Sequence, residues 1–384
     1  MNIDREEAKK VLLTGGRAPV TLELARMLAQ EGHDVYVADS FAAQLTKSSN
    51  CVKQSFFIHS PVHNFERFIA DLVDIIKVNQ IDQLIPTCEE IFYIAKGKKR
   101  LEQYCYVLSS DLPFLLKLHH KYEFIKLVEA RELDTPSSFL AYSKEEMKQH
   151  YKELAGEAIL KPTYSRFGSQ VLYLNERTLA NLKIPEGEYI VQKRIFGQPI
   201  CSYSVFFDGK LVAHTQYKVV YTAGNSAGVQ FRHLEHKKVE DWVRKFFEGE
   251  RVTGQFAFDF IETDTGNLFP LECNPRSTSG IHLFAGLPLA SRLIGKDTSL
   301  LQPLPQTKRM IALAMLIYGW RKQGKRNWFK ALIRSHDVIW NRRDIKPFFY
   351  QFYAYYAILK QSIRLGKHPL ETTTFDIEWN GEQT

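Results

Sequence analysis

Cysteine is scarce and scattered. The five cysteines, Cys51, Cys88, Cys105, Cys201 and Cys273, form no CxxC pair and are odd in number, so neither a zinc knuckle nor a disulfide framework is suggested. Long apolar runs are also missing. The longest stretches free of Asp, Glu, Lys and Arg, such as Ser277–Ser291 and Pro347–Leu359, stay below the roughly 20 apolar residues of a membrane-spanning helix. The opening Met1-Asn-Ile-Asp-Arg-Glu-Glu lacks the basic and apolar regions of a secretory signal. No transmembrane segment and a reducing cytoplasm are therefore expected. There is no internal repeat and no low-complexity tract. Net charge of one sign is lacking over most of the chain: the formal +8 sits wholly beyond Leu304, where 14 basic residues face six acids, and the preceding part holds 37 of each.

What is present is an ordinary globular mixture, 384 residues with 45% hydrophobic and 24% charged, long enough for two or three packed domains. Val11-Leu12-Leu13, the turn Thr14-Gly15-Gly16-Arg17-Ala18-Pro19, an amphipathic stretch with Leu22, Ala25 and Leu28, and Val35–Ala38 read as a βαβ unit with a parallel sheet. A helix over about Asn64–Asn79 and a strand over Gln83–Pro86 complete an open α/β domain, residues 1–115. After Pro113 a helix from about His120 to Arg131 precedes an α+β alternation of short strands: Ala158–Lys161, Val171–Leu174, Tyr189–Gln192, Ser202–Phe207, Leu211–Tyr217, Gly254–Ile261 and Leu268–Glu272. This gives a second domain, residues 116–301. A linker at Gln302–Thr307 opens a mostly helical, aromatic region, residues 302–384.

The sharpest local pattern is Phe256-Ala-Phe-Asp259-Phe-Ile, the turn Asp264-Thr265-Gly266, then Leu268-Phe-Pro-Leu-Glu272-Cys-Asn274-Pro-Arg276. Two apolar runs around a turn signal fold back as an antiparallel hairpin. Asp259 and Glu272 then come close to being cross-strand neighbours, and Asn274 shares a face with Glu272. Two readings stand on these residues alone: a solvent-facing hairpin whose acids pair with lysines, or an oxygen-donor site for Mg²⁺ shared with phosphates.

The Glu-x-Asn-Pro-Arg segment with an aspartate one strand upstream resembles the ATP-grasp superfamily, in particular its carboxylate–amine ligases and carbamoyl-phosphate-synthase-like members, over roughly residues 8–300. The resemblance implies a pre-ATP-grasp, Rossmann-like N-terminal domain, a central ATP-grasp domain, and ATP with Mg²⁺, or Mn²⁺ in its place, as cofactors. It gives Asp259, Glu272 and Asn274 to the metal, and Arg276 to the acyl-phosphate or tetrahedral intermediate. Lys161 and Lys121 match the phosphate-contacting and second nucleotide-contacting basic residues. Alone, Lys161 reads as an ordinary strand-end lysine. Pro162–Gln170 occupies the place of the phosphate-covering loop with Gly168 as its single glycine, and Ser165, Arg166 and Ser169 stand in for the others. Gln192, Lys193, Ile195 and Gln198 fall on the hinge that reads the adenine and ribose, although Lys193 and Gln198 replace family glutamates. Lys218 and Arg232 are candidates for the γ-phosphate or the substrate carboxylate.

The implied reaction is ATP-dependent amide formation through an acyl-phosphate, with small carboxylic acid and amine substrates. The alternatives are carboxyphosphate formation from bicarbonate and a nucleotide-sensing module with a docking tail. A homodimer follows only by analogy with relatives. Two local features stay open. Thr14-Gly15-Gly16 with Asp39 suggests a dinucleotide turn but lacks GxGxxG. Pro86-Thr-Cys-Glu89-Glu90 suits either a substrate-binding strand end or a helix N-terminus. The tail, with Trp320, Trp328, Trp340, Trp379 and a helix starting near Pro347 whose aromatics fall on several faces, reads as a buried part of the substrate pocket, a protein-docking surface, or an anionic-membrane or nucleic-acid patch. Its dispersed charges argue against nucleic acid.

Overall fold

The computed structural model describes residues 8–166, 171–183, 185–223, 227–321 and 324–381. Gly168 and Ser169 lie outside the described residues. Three sheets organise the chain, giving the expected mixed α/β and α+β architecture. The first is parallel, in the order Val52–Phe57, Asp34–Asp39, Lys10–Thr14, Gln83–Ile85, Tyr106–Val107. Its central strand alternates as a two-sided strand must. Val11 and Leu13 pack with Leu24, Ala25 and Leu28 of helix Pro19–Gln30. Leu12 packs with Phe68, Ile69 and Leu72 of helix Phe65–Asn79. The Asn64 side chain caps that helix by accepting from the Arg67 N–H. The strand Val52–Phe57 has no counterpart in the sequence reading, because it is an edge strand with mostly exposed residues and no buried period-two face.

A small antiparallel sheet orders Ser138–Ala141, Tyr189–Lys193, Ala158–Pro162 and Leu172–Tyr173. The large sheet orders Leu268–Asn274, Gly254–Glu262, Gln198–Phe207, Lys210–Ala223, Ala227–Leu234, Lys308–Met310 and His336–Asp337. On one face of the large sheet Phe256, Phe258 and Phe260 bury against helices Leu112–His119, Lys121–Glu129 and Lys237–Phe246. On the other, Tyr203, Val205 and Phe231 join the core around helix Pro19–Gln30.

The C-terminal region is helical apart from its two short strands. Its longest helix, Lys346–Leu365, carries Pro347 in the first turn as expected. The expected burial of that helix is corrected: it buries only Pro347, Gln351, Ala354 and Ser362 and leaves Phe349, Phe352, Tyr353 and Tyr356 exposed. Small and polar residues form its packing face, and the rings spread around the rest. None of the described helices is long and apolar enough to cross a membrane.

Candidate functional site

A cleft of about 930 Å³ lies between the small and large sheets, walled further by helix Pro19–Gln30 and the C-terminal region. The hairpin forms one wall. Asp259 and Glu272 are direct partners across the ladder, and Ala257 faces Asn274. Asp259 stands six residues before Thr265 and Glu272 seven after it. A bulge between Asp259 and Phe260 absorbs the odd residue, since Phe260 pairs with Pro270 and Leu271 is skipped. The Lys161 ammonium donates to the Leu271 carbonyl at 3.2 Å and to Gln192 Oε1 at 3.0 Å. Gln192 in turn donates to Ser138 Oγ at 2.9 Å, so its buried amide positions Lys161. Lys121 Nζ lies 3.3 Å from Glu272 and donates to the Ser165 carbonyl at 2.9 Å.

The two carboxyls face each other half-buried across the ladder, too close to be charged independently. Burial and the neighbouring Glu272 push Asp259 up, although the Cys201 thiol bonds to it. Burial also opposes charge on Glu272, but Lys121 and Lys161 outweigh it and hold Glu272 low. Burial pulls Lys161 down to about 8 against the attraction of Glu272. This donor set fits a hard divalent cation: two facing carboxylates, whose mutual repulsion a cation would relieve, plus the amide oxygen of Asn274. Among the described residues no cluster of three or more His, Cys, Asp and Glu suits a metal; the hairpin set has two such groups and an amide as its third donor.

Arg276 follows on the same strand. Its guanidinium donates to Asn274 Oδ1 at 3.2 Å and lies 3.5 Å from Glu89. Glu89, 1% exposed, accepts Arg166 Nε at 2.5 Å and the Trp379 N–H at 3.4 Å. Despite burial, Arg166, Arg276 and His119 hold its carboxyl at about 2. Glu90 instead turns inward and accepts the Thr14 hydroxyl and the N–H groups of Thr87 and Cys88. Glu89 therefore lines the cleft, whereas Glu90 braces the turn that precedes helix Ile91–Lys96 and makes no side-chain cap to the helix itself. Asp39 accepts the Arg17 N–H at 2.7 Å and Arg17 Nε at 3.0 Å, and Arg17 also pairs with Asp376. The ribose contact of the dinucleotide reading is thereby taken by Arg17.

On the opposite wall Lys193, Ile195 and Phe196 line the cleft with Ile159 and Val171. Gly197 is required there, because a Cβ would meet the Glu262 carbonyl oxygen at 2.1 Å. Gln198 pairs with Glu262, alternates with the lining residue Pro199, and is exposed outside the cleft. Lys218 pairs with Arg232 on the face of the large sheet opposite Tyr217 and Val219, which line the cleft. Neither Lys218 nor Arg232 is therefore brought to the carboxylates. Cys201, Tyr217 and the C-terminal lining residues were not readable as site residues. Their signal is the strand register, Asp259 to Cys201 to Tyr217, which needs pairing information.

This three-sheet arrangement, with the hairpin carboxylates facing the segment from Lys193 to Gly197 across one cleft, is the ATP-grasp fold. Solved structures that share it include N5-carboxyaminoimidazole synthetase from Staphylococcus aureus complexed with ADP, with 11% identity over 79% of this chain and 80% of that one and a TM-score of 0.58. A biotin carboxylase–ATP-analogue complex from Campylobacter jejuni follows at 14%, 78%, 72% and 0.61. An L-amino acid ligase from Bacillus licheniformis gives 11%, 78%, 76% and 0.57. At these identities the likeness is one of fold. No protein-family model and no curated protein matches the sequence.

Proposed function

We propose that the protein is an ATP-dependent ligase that joins a carboxylic acid to an amine, releasing ADP and phosphate. The observation that carries this reading is the half-buried Asp259–Glu272 pair with Lys121 beside it and Lys161 behind it, all on one cleft with Arg276. The similar solved structures named above, with ADP or an ATP analogue in two of them, support it.

Asp259, Glu272 and Asn274 would hold Mg²⁺, which when bound offsets the negative charge of the ATP phosphates. Lys121 and Lys161 present compact charges to those phosphates. Gln192 and the Leu271 carbonyl fix the position of Lys161. The base would lie against Ile195 and Phe196, which line the cleft with Ile159 and Val171. In the first step a carboxylate oxygen of the acid bonds to the γ-phosphorus, and the bond to the ADP oxygen breaks. In the second the amine nitrogen bonds to the acyl carbon, phosphate leaves with the C–O electron pair, and the nitrogen loses a proton. The Arg276 guanidinium, held by Asn274 and Glu89, donates hydrogen bonds to the oxyanion between these events.

Asp259→Asn and Glu272→Gln should each lower ADP formation by at least about a hundredfold with unchanged circular dichroism. Full activity in both variants would overturn the proposal. A phosphate-release screen of paired acids and amines, followed by mass spectrometry, identifies the product. Dependence on bicarbonate in place of an organic acid would move the reading to carboxyphosphate formation.

A further inference from the structure

Beyond the hairpin, the cleft continues as a largely apolar chamber that the phosphates of a nucleotide do not need. Its floor is set by strand register. Asp259 pairs with Cys201, Cys201 with Tyr217, and Val219 on the same face pairs with Phe231. Three inter-strand steps of roughly 4.8 Å carry this floor about 14 Å away from the carboxylates. Tyr217 and Phe231 meet edge to face, their ring centroids 6.1 Å apart. The roof comes from the C-terminal region, with Leu313 and Ala314 of helix Ala312–Tyr318 and Ala354 and Ile358 of helix Lys346–Leu365. The polar residues that the C-terminal region contributes to the lining are uncharged: Tyr318, Gln351, Tyr355, Thr373 and Thr374. Two largely buried arginines also line the cleft, and both are paired, Arg17 with Asp39 and Asp376 and Arg166 with Glu89 and Glu378.

Resting on the ligase reading above, we infer that the acid substrate carries a bulky apolar group, alkyl or aryl, which fills this chamber while its carboxylate lies at Arg276 and the Asp259–Glu272 pair. A charged or strongly polar group would lose its hydration there without gaining a partner. An apolar group gains about fourfold in affinity for each methylene it buries. The chamber is continuous with the reacting end of the cleft, so such a group reaches it without crossing the nucleotide. The roof also gives the C-terminal region a role in specificity.

The test is a chain-length series of acetate, butanoate, octanoate and dodecanoate with the full chain and Mg-ADP. Affinity is read by calorimetry, and ADP formation with Mg-ATP by a coupled assay in the presence of hydroxylamine, an amine that traps an acyl-phosphate as the hydroxamate. Dissociation constants should fall about fourfold per methylene until the chamber is full, and kcat/KM should rise in parallel. Ile358→Asp, and Ala314→Phe as a filling variant without charge, should each weaken dodecanoate binding at least tenfold, with Mg-ADP affinity and melting temperature as controls for folding. Equal affinity along the series, or acetate turned over as efficiently as dodecanoate, would overturn the inference and leave the ligase reading standing. A binding ladder with no ADP formation from any acid, hydroxylamine being present, would support the chamber and overturn the ligase reading.

Discussion

Glu89→Gln tests whether the joint between the N-terminal sheet, the loop after Lys161 and the C-terminal segment is electrostatic. The wild-type carboxylate is buried between Arg166 and Arg276 and also accepts the Trp379 N–H. Burial opposes its charge, and the two arginines with His119 more than reverse that, taking the group from the ordinary 4.5 to about 2. At about 1.4 kcal/mol per unit this is worth about 3 kcal/mol of stability, in line with the loss when one partner of a buried pair is removed. Because the folded value is the lower one, the contribution is complete above the unfolded value and is lost as the pH falls from about 4.5 towards about 2. Urea unfolding followed by tryptophan fluorescence should therefore show the variant about 3 kcal/mol less stable at pH 7. The difference should shrink by more than half at pH 3, where the wild type has begun to lose the same charge. A difference below about 1 kcal/mol at pH 7, or one that is the same at both pH values, would refute the reasoning.

Lys161→Met should separate stability from ligand binding. The folded ammonium titrates at about 8 against an ordinary 10.5 because it is buried, so the folded state carries a desolvation cost that is complete below about pH 8 and gone above about 10.5. Stability in urea should therefore shift in favour of the wild type over the variant by on the order of 1–3 kcal/mol as the pH rises from about 8 to about 10.5, and the variant should bind Mg-ATP more weakly by calorimetry; a stability difference unchanged across this window would contradict this account. Gly197→Ala should cost at least about 2 kcal/mol and lower the melting temperature, because its Cβ would lie 2.1 Å from the Glu262 carbonyl oxygen. An unchanged melting temperature would show that the strand ends shift apart freely.

The hairpin was legible in the sequence because its information is local. Asp264-Thr265-Gly266 marks the turn, alternation marks the strands, and counting outward brings Asp259 opposite Glu272 to within one residue. The bulge that makes them direct partners was not legible, since a skipped residue depends on how the whole sheet coils. Helix Phe65–Asn79 was readable from its 3.6-residue period, whereas the strand Val52–Phe57 has no comparable buried alternation to betray it. Lys218 looked like a neighbour of the site because it is close in sequence to residues that line the cleft. A strand sends adjacent side chains to opposite faces, and the pairing of Lys218 with Arg232 puts it on the other side.

By itself, then, the amino-acid order determined the local elements and the family-like spacing of Asp259, Glu272, Asn274 and Arg276. It also determined that the whole positive excess lies beyond Leu304. Tertiary structure decided how that region is used. Arg17 reaches Asp376 across 359 residues, Arg166 reaches Glu378 and the Trp379 carbonyl, and the helices between them roof the cleft. Such contacts depend on which surfaces remain uncovered once each sheet has packed its own helices, a property of the assembled core that no local window of sequence contains.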